Sequence, residues 1–237
     1  MRNQLALSGE KIVEKVYPHL LHHVGLIRGE YLLRELNQNI LLPNCQQFVK
    51  DYLDTICHLY SDEEVWYRFS ELTNAEANSL DGTKEYLDER HPLFGYRGIR
   101  RLLACPDEFQ AEAYVVTEVY QTNPNLSVIF PFVNDADQLK QAVRVLRQHG
   151  FTGKVGTMIE LPSAYFDLDL HHLLSDLVFV INIVIYEVEH HHRVVHRGLT
   201  ISLLGIKHCG PDYKHTSEKN HGRISQSQKN LAFRNKP

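Results

Sequence analysis

The sequence has few of the residues that hold small secreted domains together. Its 237 residues include four cysteines, none in a Cys-x-x-Cys spacing, and no signal-peptide pattern stands at the start. These features argue against a disulfide framework and predict a reduced, cytoplasmic setting. The most apolar stretch, residues 173–185, contains Asp176 and Asn182 and is shorter than the roughly 20 residues that span a bilayer. The sequence therefore predicts no membrane segment.

Strong net charge is also absent. The net charge is −4 and the isoelectric point is about 6.4, so the sequence as a whole predicts no nucleic-acid partner. The charge is uneven, however: residues 190–237 contain nine Lys or Arg and two acids, which leaves 16 basic and 27 acidic residues, or −11, for the rest. We expect a globular domain over residues 1–206 and a basic, polar, disordered tail over residues 207–237.

What the sequence does contain is an alternation of short apolar runs with amphipathic stretches. One amphipathic stretch follows Pro106 and another ends at Gly150, which are typical start and stop signals of helices. Strands that alternate with helices predict an α/β fold with a parallel sheet. The predicted strands are 5–7, 24–27, 65–69, 126–132, 155–159 and 177–185, and the predicted helices are 46–59, 107–122 and 136–149.

Three arginines and one glutamate lie at or beyond the ends of predicted secondary structure. Arg28 and Arg68 lie at the ends of apolar runs, Glu160 follows another run, and Arg97 lies in a glycine-containing loop. The planar guanidinium of arginine donates paired hydrogen bonds to phosphate and stays charged, and carboxylate oxygens suit Mg²⁺. Because the carboxyl ends of parallel strands meet at one rim, the pattern predicts a site for a phosphorylated anion with a metal ion. Taken singly, each arginine also fits a surface salt bridge, and Glu160 fits an ordinary rim carboxylate.

The contexts of these residues resemble the C-terminal, phosphoenolpyruvate (PEP)-binding barrel of the PEP-utilising enzymes. Glu160 stands in Met-Ile-Glu-Leu-Pro, which is similar to the Met-Ile-Glu-x-Pro motif of the family. Residues 68–80 resemble the Arg-x-x-[Asp/Glu]-x-x-x-Asn-Glu-x-x-Asn-Leu segment of the phosphoenolpyruvate synthase (pyruvate, water dikinase) branch. The segment matches at Arg68, Glu71, Glu76 and Leu80 and departs at Ala75 and Ser79.

The resemblance implies a (β/α)8 TIM-barrel-like fold that is incomplete or irregular at its C-terminal end. It implies that Glu160 binds Mg²⁺ and that Cys209, in a Cys-Gly turn, is the catalytic acid that protonates the enolate of pyruvate. Ile183 stands where the family has a second, metal-binding Asp. The substrate-binding residues that the resemblance implies are Arg28, Arg68, Arg97, Asn182 and Arg193.

The implied activity is exchange of a phosphoryl group between PEP or pyruvate and a phosphohistidine. The sequence has no match to the family's phosphohistidine and ATP-binding domains, so the resemblance implies that another domain or chain supplies both. Barrels of this family often dimerise, which leaves a homodimer open. Ile183 also leaves open an inactive copy that keeps at most anion binding or dimerisation. A third alternative is a different α/β barrel enzyme, or a lyase, that acts on a small phosphorylated or 2-oxo acid.

Overall fold

The computed structural model describes residues 4–9, 23–87, 96–161, 163–164, 177–180 and 204–207. The chain divides into two compact units, Met1–Ile206 and Lys207–Pro237. Lys207 is the one described residue of the second unit, so the expected polar tail lies almost wholly outside the described residues. The first unit contains strands β1 to β6, the described helices and the candidate site.

In the described part of the chain, helices follow strands β2, β3 and β4. The strands are β1 (Gln4–Leu7), β2 (His23–Arg28), β3 (Val65–Arg68), β4 (Leu126–Phe130), β5 (Val155–Ile159), β6 (Leu177–Val180) and β7 (Leu204–Lys207). The helices are α1 (Gly29–Leu36), α2 (Pro43–Leu59), α3 (Asn74–Asn78), α4 (Gly98–Ala104), α5 (Pro106–Thr122) and α6 (Ala136–Gln148).

The strands form one sheet in the order of the chain, from β1 to β7. The five adjacent pairs from β1/β2 to β5/β6 are all parallel. Parallel neighbours in chain order require a connection that crosses back over the sheet, and described helices lie in the connections from β2 to β3, β3 to β4 and β4 to β5. The α/β class predicted from the sequence is confirmed.

Local sequence explains several element boundaries. Pro43 and Pro106 occupy the first turns of α2 and α5, where a missing N–H costs nothing. Asp135 caps α6 by accepting a hydrogen bond from the Gln138 N–H at 2.9 Å. Strand β4 ends at Phe130 rather than at the predicted residue 132, because Pro131 cannot donate to the ladder and the next residue turns away.

The two faces of the sheet are packed differently. Alternate strand residues such as Tyr67 and Phe130 join a large core with the helices, whereas a second, small cluster contains strand residues alone. That cluster consists of Leu26, Trp66, Ile129 and Met158. The face that carries these four side chains, here termed the inner face, is the one on which the candidate site lies. No described helix is long and apolar enough to cross a membrane.

Candidate active site

Arg28, Arg68 and Glu160 share the inner face at the carboxyl ends of three strands. Arg28 is the last residue of β2 and Arg68 the last residue of β3, and the two are register partners in the sheet. Each is two residues beyond an inner-face side chain, as Glu160 is beyond Met158, and successive side chains alternate between faces. The parallel sheet therefore brings together residues that are far apart in the sequence.

Arg68 is buried between two carboxylates that the sequence did not single out as counterions. Its guanidinium forms an ion pair with Glu30 and a second with Glu71, the latter through Nη1 and Oε2 at 2.8 Å. Arg68, Glu30 and Glu71 are only 8%, 4% and 8% exposed. Burial opposes the charge of Arg68, but the facing carboxylates of Glu30 and Glu71 outweigh it and raise its pKa. Arg68 therefore stays a cation inside the fold.

Glu71 joins Arg68 to the third arginine. Its Oε1 accepts from Nη2 of Arg97, while its Oε2 faces Arg68. Arg97 precedes α4 and brings its guanidinium over the ring of Phe132, 4.6 Å from the centroid. Gly98 allows the start of α4 to lie close to the loop after β4. Its φ is +55°, and a Cβ there would lie 2.7 Å from the carbonyl oxygen of Pro131. Only glycine fits that position without strain.

Glu160 is oriented by the loop that follows β4. Its Oε2 accepts the backbone N–H of Phe132 at 2.7 Å. Burial and the nearby charge of Glu71 raise the pKa of Glu160 to about 7, against the opposing effects of the Phe132 N–H, Arg68 and Arg97. A bound cation would stabilise the ionised form of a carboxyl group in these surroundings.

Part of the predicted site lies outside the described residues. Asn182, Arg193 and Cys209 lie outside the described residues, as does Ile183. The structure thus brings Arg68 and Arg97 into one ion-pair network with Glu71 and places Arg28 beside Arg68 at the sheet edge. Arg28 is half-buried, with its guanidinium 5.7 Å from the Tyr31 ring centroid.

Within the described ranges, no group of three or more His, Cys, Asp or Glu side chains could hold a metal ion.

Two guanidinium nitrogens in this network have unused hydrogen-bonding capacity. Nε of Arg68 and Nε of Arg97 are buried, and neither has a hydrogen-bond partner among the described residues. A buried donor without an acceptor costs free energy, so such groups call for a ligand or a water molecule. Two such donors on neighbouring cations favour an anion.

A fully buried glutamate holds the segment after β3 from the other face of the sheet. Glu112 on α5 is 0% exposed and accepts from the Tyr67 hydroxyl at 2.7 Å, the Ser70 N–H at 2.8 Å and the Ser70 hydroxyl at 2.7 Å. Burial raises the pKa of Glu112 to about 7, although these donors act to lower it. Ser70 lies between Arg68 and Glu71, so Glu112 anchors the segment that carries both.

Sequence reasoning missed Glu30 and Glu112 and gave Glu71 no role in the site. Glu30 and Glu71 had a readable signal, since each follows a strand-ending arginine by two or three residues. Glu112 had none: it lies within an amphipathic helix, and only packing shows that it faces the sheet.

Comparison with known proteins identifies the family of this chain. Residues 8–179 match the model of the PEP-utilising enzyme, PEP-binding domain family. The phosphoenolpyruvate synthase of Pyrococcus furiosus is 27% identical over 158 residues, which cover 60% of this chain and 19% of that protein. The phosphoenolpyruvate synthase of Aeropyrum pernix is 33% identical over 112 residues, 43% of this chain and 14% of that protein. A probable phosphoenolpyruvate synthase of Staphylothermus marinus is 31% identical over 157 residues, 59% of this chain and 19% of that protein.

The chain thus spans about a fifth or less of the length of these relatives. The family match covers most of the chain and contains Arg28, Arg68, Arg97 and Glu160. The predicted resemblance is confirmed: the chain belongs to the PEP-utilising enzymes through their PEP-binding domain.

Proposed function

We propose that this chain is the PEP- and pyruvate-binding (β/α)8 barrel of a pyruvate, water dikinase-like phosphotransferase. The observation that carries the proposal is the buried pair of arginines, Arg68 and Arg97, bridged by Glu71 and each with a free Nε donor within the described structure. Two fixed cations suit a small ligand with several negative charges. PEP, with a phosphate and a carboxylate, is such a ligand, and the family match names it.

In this proposal the arginines bind and orient PEP. Arg28, Arg68 and Arg97 hold its phosphate and carboxylate, and Asn182 and Arg193 complete the pocket. Their positive charges stabilise the charge that spreads over the phosphoryl oxygens during transfer. The guanidiniums of Arg68 and Arg97 are already held by Glu30, Glu71 and the Phe132 ring, so these two need little reorganisation when PEP enters.

Glu160 is the residue of this chain that would hold Mg²⁺. Mg²⁺ binds proteins through one or two carboxylates and completes its shell with water and substrate oxygens, so a single rim carboxylate fits it. The ion would neutralise charge on the oxygens of PEP. The Phe132 N–H holds one oxygen of Glu160 in place, and Mg²⁺ would require the ionised form of this carboxylate.

The phosphoryl acceptor would be a histidine on another domain or chain. The P–O bond of PEP breaks as a P–N bond to the histidine forms, and the enolate oxygen keeps the electron pair. Cys209 would then give a proton to the methylene carbon, which yields pyruvate. The relatives are several times longer than this chain, which leaves room in them for further domains.

An inactive copy is the second candidate, and Ile183 favours it. Isoleucine cannot ligate Mg²⁺, so Glu160 would be the one protein carboxylate on the ion. Arg68 and Arg97 are also neutralised by Glu30 and Glu71 before any ligand arrives. Such a copy would bind anions independently of Mg²⁺ or not at all.

We expect PEP to bind the purified chain in a Mg²⁺-dependent manner and Arg97→Ala to weaken that binding about 100-fold. Removing one partner of a buried, charge-assisted contact costs about 3 kcal/mol, which corresponds to that factor. Calorimetric titration with PEP, with Mg²⁺ or with a chelator, measures both effects. Arg144→Ala, which changes an exposed arginine on α6, is the matched control and should bind as the parent does.

The same titration separates the two candidates. Binding of equal strength with Mg²⁺ and with chelator, or none by a folded sample, would favour the inactive copy. Equal affinity of Arg97→Ala and the parent would place the ligand elsewhere and contradict the proposed site.

A further inference from the structure

Phe132 has a backbone conformation that its side chain does not favour. It lies in the loop after β4 with a φ of +55°, in the left-handed region. Bulky residues rarely adopt this conformation, and strained positions persist where surrounding contacts hold them, often at functional sites. Glycine or asparagine would fit the turn more easily. The contacts of Phe132 therefore explain its conformation better than its own preference does.

The backbone of Phe132 holds one half of the site. Its N–H donates to Oε2 of Glu160 at 2.7 Å and so fixes the direction of that carboxylate. The left-handed turn allows this, because it turns the chain out of the β4 ladder immediately after Pro131. The turn thus provides a donor at the end of the neighbouring strand β5.

The side chain of Phe132 holds the other half. The guanidinium of Arg97 lies over its ring at 4.6 Å from the centroid, within the range of a cation–π contact. This contact limits the rotation of the guanidinium, while its Nη2 still donates to Glu71. The ring therefore sets the direction in which Arg97 presents its N–H groups.

The two segments are also tied together through the backbone. The Ile99 N–H donates to the carbonyl oxygen of Pro131 at 3.0 Å. A Cβ on Gly98 would lie 2.8 Å from Cβ of Phe132, so the start of α4 packs directly against the loop. A shift of the loop would move Arg97 and Glu160 together.

We propose that Phe132 is a positioning residue that sets the placement of Arg97 relative to Glu160, through its ring for the first and its N–H for the second. This deepens the proposed function and rests on it for the identity of the ligand. The anion-binding cation and the candidate metal carboxylate are then coupled through one residue. Changing the ring affects PEP binding through Arg97, while the backbone turn can remain.

Three substitutions separate the ring from the turn. Phe132→Tyr keeps the aromatic face, Phe132→Leu keeps apolar bulk without it, and Phe132→Gly relieves the backbone strain and removes the ring. We expect PEP to bind Phe132→Tyr within about threefold of the parent and Phe132→Leu at least about tenfold more weakly. Phe132→Gly should bind PEP as weakly as Phe132→Leu, because neither has the ring, even though glycine relieves the strained turn. A role of the turn alone would instead let Phe132→Gly bind PEP as the parent does.

A measurement without PEP tests the same inference. The ¹H–¹⁵N heteronuclear NOE of the Arg97 Nε–H, assigned by its loss in Arg97→Lys, reports the mobility of the guanidinium. We expect an ordered signal in the parent and in Phe132→Tyr, and a mobile one in Phe132→Leu. Equal order in all three would overturn the inference. Should the parent fail to bind PEP, the proposed function fails, and the NOE comparison still decides the role of Phe132.

Discussion

Replacing Arg68 with Met is expected to lower the free energy of unfolding by about 3–5 kcal/mol and to abolish PEP binding. The side chain is 8% exposed and lies between Glu30 and Glu71. Without it, Glu71 keeps its ion pair with Arg97, whereas Glu30 keeps backbone N–H donors such as that of Glu71, at 3.3 Å. A buried carboxylate without a cation must lose its charge or destabilise the fold. Denaturant unfolding measures the loss.

A second substitution separates stability from binding. Arg68→Met combined with Glu30→Gln removes the unpaired charge, so we expect it to recover a large part of the lost stability without restoring PEP binding. Arg34→Met is the matched control, because Arg34 pairs with Glu76 at 2.6 Å where both side chains are more than one-third exposed. It should cost less than about 1 kcal/mol. A small loss in Arg68→Met, comparable with this control, would contradict the buried network.

Glu112→Gln is expected to stabilise the protein at pH 8 by up to about 3 kcal/mol and to have little effect at pH 5. Burial raises the pKa of Glu112 from its ordinary 4.5 to about 7 in the folded state. Between these values the folded state binds more protons than the unfolded state, so stability falls as pH rises through this window and the loss is complete above it. Gln carries no charge and can keep the contacts: its oxygen accepts from Tyr67 and the Ser70 N–H, and its amide donates to the Ser70 hydroxyl.

Denaturant unfolding of both proteins between pH 5 and pH 8 tests this expectation. The Glu112→Gln variant should still show some pH dependence, because burial also raises the pKa of Glu160 to about 7. The difference between the two curves therefore isolates Glu112. Glu118→Gln, on the same helix and ion-paired with Lys50 at 3.4 Å, controls for replacing a glutamate on α5. Parallel curves for Glu112→Gln and the parent would show that Glu112 does not titrate in this range.

The sequence alone was sufficient to predict the α/β class and the edge of the sheet that carries Arg28, Arg68 and Glu160. These predictions rest on local information, since strand and helix periodicities extend over a few residues. Parallel strands then end at the same edge, so each strand-ending side chain could be assigned to it before the structure was known. The sequence analysis missed the short helices α1, α3 and α4 and the start of α2 at Pro43, because such elements depend on caps and packing more than on periodicity.

The tertiary structure decided which charged side chains form pairs. Arg68 and Glu30 are 38 residues apart, Arg97 and Glu71 are 26 apart, and Glu112 and Ser70 are 42 apart. Contacts at these separations arise from how strands and helices pack, and no local pattern encodes them. The left-handed turn at Phe132 is of the same kind, since a phenylalanine gives no signal for positive φ and the surrounding contacts hold it there. The sequence by itself determined which groups reach the rim, and packing determined how they are paired, oriented and buried.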